Sequence, residues 1–323
     1  MSIRRALVGV AAVALALSGC SGAAVAPAPS SAAAASSAAA TLSATPSASP
    51  LVTSTPRPTA TPPPTATPVP TPTTFTLSST AWFAGYAITV TGGDYEPVKR
   101  NLNIDASFEN TSTQQTDLGQ LSNAVKIVWN GQFLPGYVTS GPVPAGATAK
   151  ARIQLQAPVG FNLADAVLTF GQPVEHQALV PLNGSAATSD QPVVLAVAGK
   201  VTMGKYVTFT VSKGIIVPAS CNGYADKMKF GALSKNQVSI VLWGTATNTE
   251  PTNYASIDQG FVTVPDGTTS LSNPAVGLSL AGKATLRDQG MCFAVPSPAA
   301  GAYTLTLHEY RSKANGKLAF IVP

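Results

Sequence analysis

From residue 74 onward the chain alternates apolar and polar residues with a period of two, and no other feature limits its fold so strongly. Leu102, Ile104, Ala106 and Phe108 alternate with Asn103, Asp105, Ser107 and Glu109. Ala149, Ala151, Ile153 and Leu155 alternate in the same way with Lys150, Arg152, Gln154 and Gln156. Successive side chains of a strand point to opposite faces, so this pattern predicts half-buried strands of antiparallel sheets with one solvated face. Turn signals separate the runs: Gly92-Gly93-Asp94, Asn130-Gly131, Pro144-Ala145-Gly146, Asn183-Gly184 and Pro265-Asp266-Gly267. No segment between 75 and 323 carries a helical stripe with caps. The expected architecture is all-β, built from antiparallel β-sandwich domains.

The 323 residues leave room for two such domains. A weak internal repeat suggests where they lie. Tyr86-Ala87-Ile88-Thr89-Val90-Thr91 looks like Tyr206-Val207-Thr208-Phe209-Thr210-Val211, and Phe108-Glu109-Asn110-Thr111 parallels Ala246-Thr247-Asn248-Thr249. The boundary is expected within 185–191, giving a first domain at 74–186 and a second at 187–323. The second copy is longer between its Tyr and its Asn, by an insertion at roughly 214–235 that contains Cys221. Cys292 is the other cysteine of the folded part, and an even pair in an exported chain predicts a Cys221–Cys292 disulfide.

Export is read from the N-terminus. Arg4 and Arg5 precede an apolar run from Ala6 to Leu17, too short to span a bilayer as a helix, and small residues lead to Cys20. Leu17-Ser18-Gly19-Cys20 resembles the lipobox of bacterial lipoproteins. That resemblance implies a signal peptide at 1–19, a diacylglycerol on the Cys20 thiol, and a protein held outside the cytoplasm on the bacterial cell membrane. From 20 to 73 the chain uses almost only Ala, Ser, Thr, Pro and Val, as in Thr55-Pro56-Arg57-Pro58-Thr59. Such a tract cannot bury enough apolar surface to offset its ordering entropy, and its prolines favour an extended, semi-rigid stalk.

Charge and motifs narrow the chemistry. Only 10% of residues are charged and the formal net charge is +5, too dispersed for nucleic-acid binding to be expected. With 3 Cys and 2 His, a zinc or iron–sulfur centre is not expected, nor any cofactor. Nucleophile elbows, HExxH helices, phosphate loops and EF-hand loops are absent. Glu175-His176 and His308-Glu309 place neighbours on opposite strand faces, so neither is a local acid–base dyad, and both histidines are expected at solvated edges. Asp94 and Glu96 beside a glycine turn offer at most a weak calcium site. Residues 75–186 hold 5 Lys/Arg and 7 Asp/Glu, whereas 187–323 hold 11 and 7. The candidate anionic-ligand face is Lys227, Lys229, Lys235, Arg311 and Lys313, weighed against an ordinary solvated face. Trp82, Trp129 and Trp243 could stack on sugars if exposed, although the apolar runs around the latter two favour the core.

The tract Leu102–Asn110, then Pro142-Val143-Pro144-Ala145-Gly146-Ala147-Thr148, Ala157-Pro158-Val159-Gly160 and the strand Ala166–Phe170, is similar to the immunoglobulin-like, DUF4352-like domains of bacterial lipoproteins. That similarity implies fold and location and carries no catalytic motif. The expected function is a non-enzymatic, lipid-anchored surface protein that binds or organises envelope components, its partner being wall polysaccharide or another envelope protein. The alternatives are a secreted wall-glycan hydrolase using a carboxylate pair and a solute-binding lipoprotein.

Overall fold

The computed structural model describes residues 69–139, 141–222, 227–273, 276–296 and 300–323. Cys20, the signal peptide and most of the stalk lie outside the described residues. The strands of the N-terminal half are Thr73–Phe83 (β1), Tyr86–Glu96 (β2), Asn101–Asn110 (β3), Thr116–Asp117 (β4), Val125–Trp129 (β5), Gln132–Pro135 (β6), Tyr137–Val138 (β7), Pro142–Val143 (β8), Thr148–Gln156 (β9), Val167–Phe170 (β10), Ala178–Pro181 (β11) and Thr188–Ser189 (β12). Those of the C-terminal half are Val193–Leu195 (β13), Gly199–Met203 (β14), Val207–Val217 (β15), Ser220–Asn222 (β16), Lys229–Gly231 (β17), Gln237–Asn248 (β18), Ala255–Thr263 (β19), Thr269–Leu271 (β20), Leu278–Leu280 (β21), Thr285–Pro296 (β22), Gly301–Glu309 (β23) and Ala314–Val322 (β24).

Two sheets, ordered β1-β2-β3-β9-β7 and β12-β11-β10-β5-β6, enclose one core. Two more, β13-β15-β18-β22 and β20-β19-β23-β24, enclose a second. The protein is all-β and sandwich-like, as the alternation predicted. Leu102, Ile104, Ala106 and Phe108 face the first core, and burying a side chain such as Phe108 contributes about 1.5–3 kcal/mol. Asn130 and Gly131 both adopt positive φ in the β5–β6 hairpin, the backbone a two-residue turn demands. Gly92-Gly93-Asp94 is not a turn. It lies within β2 at a bulge, where Gly92 takes φ 141° and a side chain would meet the Phe75 carbonyl.

The halves share a corner. Asn110, fully buried at the end of β3, donates through Nδ2 to the carbonyls of Gln114, Val143 and Pro144 and accepts at Oδ1 from Ser112 N. Asn248, fully buried at the end of β18, donates to Asn253, Leu280 and Ala281 and accepts from Glu250 N. Thr111 closes on the Gly85 carbonyl and Thr249 on that of Tyr206, each through backbone N and Oγ1. The strand register corrects the repeat. Tyr86 lies opposite Asn110 and Val207 opposite Asn248, so Tyr86 corresponds to Val207 rather than to Tyr206. The one-residue difference matters because Tyr86, Ile88 and Val90 then match the buried Val207, Phe209 and Val211, and both strands bulge at the next residue.

The Cys221–Cys292 bridge is present, with Cα atoms 6.2 Å apart, and ties β16 to β22. The insertion it anchors packs against the first sandwich. Thr113 N donates to the Met228 carbonyl at 3.0 Å and Met228 N to Thr113 Oγ1 at 2.7 Å, while Phe230 N donates to Ser112 Oγ. A second strip pairs His176 N with the Leu233 carbonyl and Lys235 N with that of Val174. Trp82, Met228, Val217 and the two cysteines form a small apolar cluster between the sandwiches. Trp82 and Trp243 are buried and Trp129 is half-buried against Phe161, so none is an open sugar platform.

Candidate ligand-binding site

Chain direction separates the two ends of the second sandwich. The insertion leaves from Val217 and returns at Gln237, beside the first sandwich, whereas Val207 and Asn248 pair at the other end of the same two strands. Eleven residues of strand place that free end roughly 35 Å from the junction. The described chain enters at the far side of the first sandwich, since β1 begins at Thr73 and reaches the junction only at Trp82 and Phe83. The free end is therefore remote from Thr73.

Four connections meet there. Glu309, the last residue of β23, is 1% exposed, and its carboxylate accepts from Ser256 N, Arg311 N and Ser312 N at 3.2, 3.0 and 2.6 Å. Burial pushes this carboxyl's pKa up, but the hydrogen bonds from Ser312, Arg311 and Ser256 outweigh it and hold the group below the ordinary carboxylate value. The buried anion thereby fixes the turn that carries Tyr310, Arg311 and Lys313. Arg311 Nη1 lies 3.4 Å from the Tyr254 carbonyl and 3.9 Å from Glu250 Oε2. Lys205 Nζ sits 5.2 Å from the centre of the Tyr206 ring. Lys283 N donates to the Glu250 carbonyl, bringing the Gly282-Lys283 turn alongside.

The result is an open cavity of about 260 Å³ lined by Lys205, Tyr206, Glu250, Tyr254, Glu309 and Arg311, with Lys283 and Lys313 beside it. Its cations come from separate turns, and of the two lining carboxylates Glu309 is already committed to backbone. A concave site with tyrosine walls, where Arg311 pairs with Glu250 but Lys205, Lys283 and Lys313 form no ion pair among the described residues, is suited to a ligand that carries both a ring and an anionic group.

The five lysines and arginines singled out in the sequence do not share one face. Arg311 and Lys313 lie at the free end, but Lys227, Lys229 and Lys235 belong to the insertion, at the junction. Sequence reasoning missed Lys205, Tyr206, Glu250, Tyr254 and Lys283. The available signal was glycine beside lysine at two turns, Gly204-Lys205 and Gly282-Lys283.

The histidines are also differently placed. His176 is 9% exposed, with Nδ1 2.6 Å from Asp190 Oδ2 and Nε2 2.6 Å from the Gln237 carbonyl, so it bridges the two sandwiches rather than sitting at a solvated edge. His308 Nδ1 meets Asp258 Oδ1 at 2.6 Å, across neighbouring strands. Both partners are distant in sequence. Among the described residues, no group of three or more His, Cys, Asp and Glu is placed to hold a metal ion. Asp94 instead accepts from Asn103, and Glu96 pairs with Lys99.

No family model matches the chain, and no curated protein matches it. Among solved structures it is similar to the YadV chaperone, at 12% identity and a TM-score of 0.18, covering 73% of this chain and 99% of that one. At that score the likeness carries no argument about fold or function.

Proposed function

We propose that the protein is a bacterial surface lipoprotein, anchored through Cys20 and raised on the 20–73 stalk, whose non-enzymatic head binds acidic wall polysaccharide at the free end of the second sandwich. The domains are immunoglobulin-like and of the DUF4352-like kind. The observation that carries the binding role is the convergence of Lys205, Lys283, Arg311 and Lys313 around the Tyr206 and Tyr254 cavity, at the end of the head remote from Thr73. Tyrosine faces suit sugar rings, and the surrounding cations suit carboxylate or phosphate substituents. An all-β head does not suit the two-lobed α/β build of the usual solute binders.

For the hydrolase alternative, Asp94 and Asp105 are one pair of carboxylates that share a face of the first sandwich. Asp105 pairs with Arg152 Nε at 2.9 Å and Asp94 accepts from Asn103. Each carboxylate is thus paired with a neighbouring side chain rather than set as an opposed acid and nucleophile.

The test is sedimentation of the full chain, with Cys20→Ser to keep it soluble, together with purified acidic wall polymer across a salt series. Saturable binding that weakens as salt rises, and that falls roughly tenfold in Arg311→Ala/Lys205→Ala, is expected. Binding unchanged in that variant would refute the site.

A further inference from the structure

A different surface carries a second binding role. The outward rows of β3 and β9 pair across the sheet as Asn101 with Gln156, Asn103 with Gln154, Asp105 with Arg152 and Ser107 with Lys150. The alternate residues of both strands are held in the first core, so these rows are rigidly spaced. Above them lie two adjoining hollows, of about 610 Å³ over the Asp105–Arg152 stretch and about 290 Å³ over the Asn101–Gln156 stretch. At the edge, Tyr137 pairs with Gln154, shares its face and is 55% exposed.

The smaller hollow is lined by Asn101, Asn103, Gln154, Leu155 and Gln156 and holds no charged side chain, while the larger one holds Asp105, Arg152 and Lys150. Asp105 and Arg152 cancel one another, and Asn103 donates to Asp94 at 2.8 Å while Gln156 donates to Asn101. Asn101, Asn103 and Gln156 are oriented by such contacts, and they and Gln154 keep further donor and acceptor positions for a ligand. An acidic polymer would find no cation in the smaller hollow, and Arg152 beside it is already paired with Asp105. A chain bearing many hydroxyl groups, each both donor and acceptor, matches the amide rows, and Tyr137 offers a ring face beside them.

We propose that the outer face of β3 and β9 binds neutral polysaccharide, independently of the acidic-polymer site at the other end of the head. The two sites differ in salt response: hydrogen-bonded recognition is expected to persist at high salt, where attraction between exposed charges is screened.

The full chain carrying Cys20→Ser is run by affinity electrophoresis in gels containing dextran, galactomannan or arabinoxylan. Retardation in at least one gel, unchanged by added salt, is the expected result. Asn103→Ala/Gln154→Ala should weaken it by roughly tenfold, as the loss of two hydrogen bonds implies. Tyr137→Ala, at an exposed edge position that leaves the core untouched, should weaken it by a smaller factor. Arg311→Ala/Lys205→Ala should leave it unchanged, which separates this claim from the acidic-polymer site. No retardation in any of the three gels, or retardation that survives both the amide and the tyrosine variants, overturns the proposal.

Discussion

The same asparagine corner closes each sandwich, but the chain leaving it enters different surroundings. After Asn110 the chain reads Thr111-Ser112-Thr113, and the Ser112 and Thr113 groups are taken up by Met228 and Phe230 of the insertion. After Asn248 it reads Thr249-Glu250, runs on through Asn253 and Tyr254, and lines the open cavity. Gly85 beside the first corner takes φ 92°, and a Cβ there would lie 2.7 Å from that of Phe230. Tyr206 occupies the corresponding place beside the second corner, half-buried, with the exposed Lys205 next to it. One corner geometry thus serves first as a joint and then as an open end, and the open end gathers the polar and cationic side chains that a joint would have to desolvate.

Breaking the joint should have the largest effect. Cys221→Ala/Cys292→Ala removes the constraint on a long loop and should cost about 4 kcal/mol in the loop-entropy model, read as a fall in the denaturant midpoint. Backbone amide exchange at Thr113 and Met228 should rise with it. Next come the corners themselves. Asn110→Ala and Asn248→Ala each strand several buried carbonyls, and each should cost about 3 kcal/mol by equilibrium unfolding. Their consequences should diverge, with Asn110→Ala loosening the junction and Asn248→Ala weakening acidic-polymer binding. If both variants loosened the junction equally, the contrast between joint and open end would fail.

Gly85→Ala sharpens the contrast at smaller cost. It forces a β-carbon into the left-handed region and against Phe230, so about 1–3 kcal/mol should be lost. Lys205→Ala, next to the matching position Tyr206, should leave stability unchanged within error. The mildest effect concerns pH. Glu309 has a folded-state pKa below its unfolded value, so its contribution to stability is complete above the ordinary glutamate range and is lost as pH falls through the folded value. Glu309→Gln should flatten that acid limb of the stability curve. A limb of equal steepness in the variant would mean that the 310–313 turn does not depend on this anion.

The fold was legible because period-two alternation is a local property. Leu102 to Phe108 declared their faces without any knowledge of neighbours, and Asn130-Gly131 declared its turn through backbone conformation alone. The disulfide was legible by parity of cysteines in one half of the chain. Features that depend on register were hidden. A one-residue slip concealed the match of Tyr86 with Val207, and Gly92-Gly93 looked like a turn because glycine serves bulges and turns for the same steric reason. The site was half legible. Arg311 and Lys313 stood out by charge, but the insertion lysines stood out equally, and only the strand directions send them to opposite ends. Lys205, Tyr254 and Lys283 are far apart in sequence and meet through the second Asn corner, which no local pattern could announce. His176 likewise finds Asp190 and the Gln237 carbonyl across the junction rather than its neighbour Glu175.

Amide hydrogen exchange of the full Cys20→Ser chain, with and without acidic wall polymer, tests the contrast most directly. Added protection is predicted at 204–206, 249–254, 281–284 and 310–313, with the junction residues 111–113 and 227–235 unchanged. Protection confined to 227–235, where Lys227, Lys229 and Lys235 stand, would place the ligand at the joint and contradict the division of the two corners into joint and open end.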